Sequence, residues 1–413
     1  MPDRISHAVG VICEFNPFHN GHARLLAAAH EAAGAAGCVI CVMSGRFVQR
    51  GEPAAADPYL RAQAALDGGA DLVLELPFPW SAASAEYFAD AGVSILSRLP
   101  VRQLAFGTES GDLRLLRAAA EVLARPDFSA RSAAYVRNGG GAAASLPSLL
   151  REELTGYPLP DGFPSPNDRL AMQYLRALHA AGNDISPLPI RRDGQDYRDE
   201  TLRNPSAPSA SALRQLTREA ADDPDCLSAM LSGTMPNGSL QLWLDAVKDG
   251  RAPADGSALL PFFHIFCRLA DPDELAGFAE CSGGLSHRMV QAALTAPSST
   301  SFFAALHSRL YTNARLRRAM LYAALGVTDA DLNSAPAYTT LLASNARGCA
   351  FLKMLRASRK AGHSAIPILT KPADAPAGRQ TYLSHRADAL FSLCLPRPTA
   401  AGDCLRQGPR IKT

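Results

Sequence analysis

Lysine is scarce in this sequence of 413 residues. It occurs only at positions 248, 353, 360, 371 and 412, so arginine supplies almost all of the 41 basic side chains. Arginine suits bidentate phosphate contacts, but a GC-rich genome gives the same bias, and the abundance of alanine favours that explanation. With 39 acidic residues the net charge is only +2, which neither requires nor excludes a nucleic-acid partner. The 47% hydrophobic and 19% charged content is typical of a soluble globular protein, here with two or three domains.

Long apolar runs and paired metal-binding motifs are also absent. No apolar run reaches the length of a membrane span, and the first residues, MPDRISH, lack the apolar core of a signal peptide. The nine cysteines are scattered, and the C-x-x-C string from Cys38 to Cys41 lies within a predicted strand, where alternate side chains point to opposite faces. No second Cys/His pair has zinc-finger spacing. We therefore expect reduced thiols, a cytoplasmic protein, no membrane partner and no metal held by protein side chains.

The first 220 residues alternate between short apolar runs and segments with helical spacing. The predicted strands are Val9 to Glu14, Cys38 to Met43, Asp71 to Leu76, Gln103 to Phe106 and Leu188 to Arg191. The predicted helices are Gly21 to Ala33, Pro58 to Leu66, Ala82 to Ser97, Asp112 to Leu123, Pro166 to Ala181 and Ser211 to Ala220. This alternation predicts an α/β fold, a doubly wound parallel sheet of the Rossmann type with helices on both faces.

The alternation fades after about residue 221. Residues 221–330 have helical spacing, and the tail combines a helix, Cys349 to Ala357, with a strand-like run, Ile366 to Thr370. We therefore expect two parts, a sheet domain over residues 1–220 and a mainly helical region with a small mixed tail over residues 221–413. The segment Asn138 to Ala144, NGGGAAA, predicts a flexible loop or hinge.

The motif with the clearest chemical meaning follows the first predicted strand. FNPFHNGH contains the pattern H-x-G-H, with His19 and His22 at the strand-to-helix loop and Gly21 between them. Open α/β sheets bind ligands beyond the carboxyl ends of their strands. A helix N-terminus there attracts phosphate, glycine admits close approach, and imidazoles can donate to phosphoryl oxygens. The context predicts a triphosphate site without naming its substrate.

Six ordered motifs carry a resemblance to a known family. FNPFHNGH, MSGRFVQRGEPA, DLVLELP, FGTESGD, SPNDRLA and SASALR, spread over about residues 8–218, resemble the bacterial tRNA(Met) cytidine acetate ligases of the HIGH-motif nucleotidyltransferase superfamily. The match is looser in TNARLRRAMLYAALGV and HRADALFSLC. The resemblance implies an ATP-binding catalytic sheet domain and a tRNA-binding helical region. It also implies that ATP, accompanied by Mg²⁺, activates acetate as acetyl-adenylate, and that the acetyl group passes to N4 of the wobble cytidine of elongator tRNA(Met), with no DNA partner.

The resemblance also implies site residues. The catalytic candidates are His19, His22, Arg50 and Arg214. The ATP-binding candidates are Ile12, Cys13, Glu14, Phe15, Asn16, Pro17, Phe18, His19, Asn20, Gly21, His22, Leu25, Gly107, Asn167, Arg192, Ser209 and Ser211.

Several of these roles have structural alternatives. Asn16 either holds its loop or touches phosphate; Thr108 and Asn167 are also plausible helix caps. Arg191 can replace Arg192 if the strand register shifts by one residue. Arg50 either meets a phosphate or carboxylate or forms a surface ion pair with Glu52.

The last two features concern the leaving group and the RNA. The segment Ser209 to Arg214 stands where related enzymes keep a second phosphate loop, which in this family is built from serine and arginine without a KMSKS string; a Ser-capped surface helix is the structural alternative. Two arginine-rich segments, Arg315 to Arg318 and Arg347 to Lys360, suit an RNA backbone, although solvated helix faces have the same composition.

Two other functions stay open, a small-molecule adenylyltransferase and a non-enzymatic nucleotide-dependent RNA-binding protein. The chain length argues against the first and the two histidines with Arg214 against the second.

Overall fold

The protein is built around one mostly parallel sheet. A computed structural model describes residues 7–192, 208–360 and 365–412. Its strands are β1 (Ala8–Cys13), β2 (Cys38–Ser44), β3 (Phe47–Val48), β4 (Glu52–Pro53), β5 (Leu72–Leu76), β6 (Gln103–Thr108), β7 (Ser186–Arg191), β8 (Thr339–Ser344), β9 (Ile368–Leu369) and β10 (Arg410–Ile411). All five strands predicted in the first half are present.

The order of strands in the main sheet is β10-β8-β5-β2-β1-β6-β7, with β9 paired to β8, while β3 and β4 form a separate hairpin. The five strands from the first half are parallel to one another. Along the chain, β2 and β5 are added on one side of β1, and β6 and β7 are then added on its other side. The order therefore reverses between β1 and β6, which is where open α/β sheets bind ligands.

Helices cover both faces of the sheet, which explains why its strands are apolar without alternation. Every residue of β1 and β2 is buried. Val9 and Val11 pack with helix residues such as Leu26 on one face, and Ile12 packs with Phe88 on the other. This arrangement confirms the predicted doubly wound α/β fold.

The helices of the first half are α1 (Asn20–Ala33), α2 (Pro58–Asp67), α3 (Ala85–Ser97), α4 (Leu113–Leu123), α5 (Phe128–Arg137), α6 (Ala142–Glu153), α7 (Pro166–Ala181) and α8 (Ala210–Glu219). Two of them, α5 and α6, were not predicted. No residue of α5 is buried, so it lacks the apolar stripe that marks a helix in the sequence. The predicted loop over 138–144 is therefore shorter, because α6 begins at Ala142.

The second half is helical up to residue 333, in agreement with its spacing. Its helices are α9 (Pro224–Leu231), α10 (Asn237–Lys248), α11 (Leu260–Leu269), α12 (Pro272–Ala276), α13 (Leu285–Thr295), α14 (Ser299–Leu306), α15 (Asn313–Leu325), α16 (Asp329–Asn333), α17 (Ala346–Lys360) and α18 (Arg379–Phe391). Short 3-10 turns occupy Trp80–Ala82, Gly256–Leu259, Pro372–Asp374 and Asp403–Arg406. Within the described ranges, no helix is long and apolar enough to cross a membrane.

The sheet does not stop at the boundary expected near residue 220. Strand β8 pairs antiparallel with β5, and β10 pairs with β8. Whether residues 221–413 act as a separate functional region stays a prediction, but structurally the tail completes the sheet of the first half. Sequence spacing cannot reveal this pairing, because it shows that a run is strand-like and not which strand it joins.

Asp71 connects β5, β2 and the end of β8. Its carboxylate, which is buried, accepts hydrogen bonds from the Val39 backbone N–H at 2.9 Å and from Asn345 Nδ2 at 2.8 Å. Its carbonyl oxygen accepts from the Asn345 backbone N–H at 3.0 Å. One side chain therefore holds the tail strand in register with the sheet.

We expect Asp71→Ala to lower the free energy of unfolding by about 1–3 kcal/mol, because a buried donor on Val39 and a half-buried donor on Asn345 lose their acceptor. Chemical denaturation followed by circular dichroism measures this. Asp67→Ala is the matched control: it removes a surface ion pair with Lys412 (2.9 Å), whose side chain is 57% exposed, and should cost less than about 1 kcal/mol. Equal denaturation midpoints for the two variants would show that Asp71 does not hold β8.

Candidate active site

A cavity of about 330 Å³ lies at the carboxyl ends of β1, β6 and β7, where the strand order reverses. It is bounded by the loop from β1 to α1, the loop after β2, and the first turns of α7 and α8. Thirteen of the predicted site residues line it: Ile12, Cys13, Glu14, Phe15, Asn16, Gly21, His22, Leu25, Arg50, Gly107, Asn167, Arg192 and Arg214. The motifs of the first half therefore meet at one place in the fold.

Six predicted residues do not line the cavity: Pro17, Phe18, His19, Asn20, Ser209 and Ser211. Phe18 is 2% exposed and packs against Phe15 and His22 in the core. Asn20 donates from its side chain to the Gly233 carbonyl at 2.7 Å, which ties the loop to the helical region. Phe18 and Asn20 therefore hold the loop in place without lining the cavity.

The two histidines form a reciprocal cap at the start of α1. The Gly21 N–H donates to His19 Nδ1 at 3.0 Å, and the His19 N–H donates to His22 Nδ1 at 3.3 Å. The rings are stacked with their centroids 3.7 Å apart. Because each Nδ1 accepts a hydrogen bond, the proton of each neutral ring is on Nε2, and His22 lines the cavity.

Both imidazoles are neutral at physiological pH. Burial lowers the pKa of His19 to about 3, with a further contribution from the nearby Arg192 and Arg24. Burial, the neighbouring His19 and Arg192 also lower the pKa of His22 well below its usual value. The pair therefore acts in this state as hydrogen-bond donors and not as cations.

Five arginines from four segments line the cavity: Arg24, Arg50, the adjacent Arg191 and Arg192, and Arg214. Arg192 packs over Gly107, where an added Cβ would lie 3.1 Å from Arg192 Cδ, and its Nη2 lies 3.8 Å from the position of a Cβ on Gly21. Arg191 instead packs over Gly111. Of the two alternatives left open by the sequence, Arg192 is thus the residue beside the H-x-G-H loop.

Asn16 holds its loop, as one of its two expected roles requires, and it also lines the cavity. Its Oδ1 accepts from the Ala55 N–H at 2.5 Å, and its carbonyl oxygen accepts from Arg214 Nη1 at 2.7 Å. Ser209 caps α8 by accepting from the Ala212 N–H, and Ser211 accepts from Arg214 Nη2. The Ser-Arg segment is therefore connected to the H-x-G-H loop through Arg214.

Asn167 is oriented by a neighbouring carboxylate. Its Nδ2 donates to Glu109, which also accepts from Ser165 at 2.5 Å. The helix cap lies at Ser165 and not at Asn167, so the capping alternative is wrong. Asn167 lines the cavity, and its Nδ2 is bonded to Glu109.

The expected capping role of Thr108 is also wrong. Thr108 Oγ1 donates to the buried carboxylate of Asp168 at 2.5 Å, and Asp112 caps α4. Ser110 donates to the same carboxylate from both its N–H and its hydroxyl group. Asp168 thereby fixes the end of β6 against the start of α7, the two elements that carry Gly107 and Asn167.

Sequence reasoning missed Arg61, which lies beneath the cavity and is 1% exposed. Its guanidinium donates to the carbonyls of Glu14 at 2.6 Å, Ser44 at 2.9 Å and Ala56 at 3.0 Å, and to that of Gly45. Burial lowers its pKa to about 10. In the sequence Arg61 looks like any polar position of an amphipathic helix, so no local signal marks it.

The arginine-rich segment on α15 also differs from the expectation. Arg318 is 8% exposed, forms an ion pair with Glu280 at 2.8 Å and donates to the Gln49 carbonyl. Arg317 pairs with Glu52 at 2.9 Å, which replaces the ion pair between Arg50 and Glu52 considered above. Arg317 and Arg318 therefore support the loop that lines the cavity, and Arg318 is too buried to contact an RNA backbone.

Comparisons with known proteins agree with this geometry. The sequence model of the family described as HIGH Nucleotidyl Transferase matches residues 6–403. The tRNA(Met) cytidine acetate ligase of Acetivibrio thermocellus is 32% identical over 407 residues, covering 94% of this chain and 95% of that protein. The enzyme of the same name from Syntrophotalea carbinolica is 36% identical over 379 residues, covering 88% and 84%.

Two crystal structures of Thermotoga maritima TmcAL have the same fold at 26% identity. The ligand-free form superposes with a TM-score of 0.84 over 98% of this chain and 100% of that one. The form bound with alpha-thio ATP has a TM-score of 0.82 and covers 98% and 99%. The chain therefore belongs to the tRNA(Met) cytidine acetate ligase family of HIGH nucleotidyltransferases, which confirms the resemblance and the enzyme class, an ATP-dependent ligase, predicted from its motifs.

Proposed function

We propose that this protein uses ATP to activate acetate as acetyl-adenylate and transfers the acetyl group to N4 of the wobble cytidine of elongator tRNA(Met). The observation that carries the proposal is the cavity at the reversal of strand order, where five arginines and the Nε2–H of His22 converge. Such donors match the charge and geometry of a triphosphate. The names of the relatives and the alpha-thio ATP bound by the Thermotoga maritima protein support the same substrate.

In this proposal the triphosphate lies over the start of α1, between His22 and Arg214. Gly21 lines the cavity and has no side chain that would exclude phosphate oxygens, and the positive end of the α1 dipole favours negative charge there. Gly107 and the carbonyl oxygen of Asn167 contact the nucleoside, whose amino and hydroxyl groups are donors. Arg192, beside Gly107 and Gly21, lies between the two parts of the nucleotide.

The first step is a displacement at phosphorus. A carboxylate oxygen of acetate attacks the α-phosphorus, a new phosphorus–oxygen bond forms, and pyrophosphate leaves with the electrons of the broken bond. Negative charge grows on the phosphoryl oxygens, and fixed N–H donors from His22, Arg50 and Arg214 stabilise it without reorganisation. No protein nucleophile is needed, because the enzyme positions two substrates and stabilises charge.

Magnesium is expected to accompany ATP. The residues that line the cavity include one carboxylate, Glu14, and the described residues contain no group of three or more His, Cys, Asp or Glu arranged to hold a metal. This donor set fits a triphosphate better than a metal ion held by the protein. Magnesium would then be held mainly by phosphate oxygens and would supply charge neutralisation there.

We propose that tRNA binds to the exposed cations of α17 and not to the arginines of α15. Arg347, Lys353 and Arg356 are exposed. Arg347 donates to the Gly37 carbonyl at the amino end of β2, the edge of the sheet opposite to the cavity. Arg356 lies with Ile366 and Ile368, away from the end of the sheet at which Arg347 lies. We therefore choose Lys353 and Arg356, and not Arg347, as the pair that binds tRNA.

The proposed function is tested by incubating the protein with ATP and acetate, with and without elongator tRNA(Met). We expect acetyl-adenylate and pyrophosphate without tRNA, and N4-acetylcytidine in the digested tRNA when it is present, both measured by mass spectrometry. Reactions without acetate are the control. Transfer of AMP to a small molecule would indicate the adenylyltransferase alternative, and tRNA binding without any product would indicate the non-enzymatic one.

We expect His22→Ala to slow acetyl-adenylate formation about a hundredfold or more, because one donor to the transition state is lost. Its affinity for tRNA should stay close to that of the unmodified protein. Pyrophosphate release measures the rate, and filter binding measures tRNA affinity. His179→Ala, on the exposed side of α7, is the control; a similar loss of rate and of tRNA affinity in His22→Ala would indicate a role in folding.

We expect the double variant Lys353→Glu, Arg356→Glu to weaken tRNA binding and to reduce the slope of log affinity against log salt by about two units, one for each lost phosphate contact. Arg102→Glu with Lys248→Glu changes the net charge equally at two exposed positions and is the control. Equal slopes in both double variants would place the tRNA surface elsewhere.

A further inference from the structure

We propose that the carboxylate of Glu14 accepts the proton that leaves N4 of the cytidine when this amine attacks acetyl-adenylate. The inference rests on the proposed function and goes beyond it, because it assigns the proton acceptor of the second step. Glu14 directly follows β1 and precedes the H-x-G-H loop, and its side chain faces the cavity.

Glu14 is the only acidic residue among the described residues that line the cavity. The histidines are poor alternatives as bases. Nδ1 of each ring already accepts a backbone N–H, so Nε2 carries the proton and is a donor. Tyr174 also lines the cavity, but burial raises the pKa of its hydroxyl group well above the ordinary value, so it stays protonated. Glu14 is the group left that can take a proton.

The carboxylate is held in place by its neighbours. Its Oε1 accepts a hydrogen bond from the Gln49 backbone N–H at 2.9 Å. Arg61 donates to the Glu14 carbonyl at 2.6 Å and so fixes the backbone at this position. A base that is already oriented has a smaller entropic cost at the transition state.

Gln49 supplies a second, independent sign of a ligand beside Glu14. Its Nε2 is buried and has no hydrogen-bond partner among the described residues, although the residue lines the cavity. A buried unsatisfied donor is costly and therefore indicates a missing acceptor. A carbonyl oxygen of the acetyl group or of the cytosine ring would supply that acceptor on the loop that holds the Glu14 carboxylate.

The electrostatic surroundings suit a base. Burial raises the pKa of Glu14, while the hydrogen bond from Gln49 and three nearby arginines lower it in part. A carboxylate with a raised pKa binds a proton more strongly than an exposed one, as a general base requires. The charged and titratable groups around it are Arg50 after β2, Arg61 on α2, Arg214 on α8, Cys13 on β1 and Tyr174 on α7.

The step balances without a further reactant. The N4 lone pair forms a bond to the acetyl carbonyl carbon, and the bond from that carbon to the adenylate oxygen breaks. AMP leaves with those electrons as a phosphate monoester anion. One N4 proton passes to the Glu14 carboxylate, and the neutral acid later returns it to solvent.

The test is Glu14→Gln, which keeps the shape of the side chain and an oxygen that can accept from Gln49 but cannot take a proton. Acetyl-adenylate is first formed on the enzyme from ATP and acetate, and tRNA is then added in a single-turnover experiment. We expect the transfer step to slow about a hundredfold more than the adenylation step, the usual size of general-base catalysis. Glu31→Gln, at an exposed position of α1, is the matched control.

The pH profile separates a proton acceptor from a residue that only positions others. Because the base form of Glu14 is the deprotonated one, the transfer rate of the unmodified protein should rise with pH, with a midpoint above that of ordinary glutamate, and then level off. The Glu14→Gln variant should be slow and flat over this range. An equal slowing of both steps, an unchanged transfer rate, or a variant that keeps the same pH profile would overturn the role of Glu14. A failure of the unmodified protein to form acetyl-adenylate would instead overturn the proposed function, and this inference with it.

Discussion

The buried guanidinium of Arg61 is the interaction on which the site depends. It donates to the carbonyls of Glu14, Ser44, Gly45 and Ala56, which lie at the ends of β1 and β2 and before α2. These backbone segments diverge from the sheet and cannot pair with each other, so without Arg61 their buried carbonyls would lack partners. One charged side chain thus holds together the two loops that carry His22 and Arg50. Its burial is tolerated because its N–H groups are bonded and Asp57 and Glu14 lie nearby.

The cavity concentrates positive charge around a pair of imidazoles that burial keeps neutral. Protonated histidines would add to the repulsion among the five arginines, and the lowered pKa values of His19 and His22 avoid this. A polyanionic ligand would offset the repulsion among the arginines, because it attracts them and accepts a hydrogen bond from the N–H of His22. The same surroundings make a carboxylate at this position unusual, which is why Glu14 points to a chemical role.

The helical region is part of the architecture of the site. Arg318 on α15 pairs with Glu280 and reaches the Gln49 carbonyl, and Arg317 pairs with Glu52. The loop from Gln49 to Glu52 therefore has the cavity on one side and the helices on the other. A macromolecule that binds the helices and shifts α15 would move Gln49 and Arg50 as well.

The sequence by itself determined the five parallel strands, most of the helices around them, and the location of the site. Buried strands are apolar throughout, amphipathic helices repeat every three to four residues, and the H-x-G-H motif follows a strand directly. The motifs also led to thirteen residues that line the cavity. These features are local, so the order of residues is enough to reveal them.

Tertiary structure decided the rest, because the remaining features join residues that are distant in sequence. Only the fold shows that β8 pairs with β5, that Asp71 holds it there, and that Arg61 and Asp168 support the site from below. Only the fold shows that Arg192 and not Arg191 lies beside Gly21, and that Arg318 is buried against Glu280. Charge and spacing identify a side chain that can bind a phosphate; which side chains face the cavity depends on burial and on partners supplied by other parts of the chain.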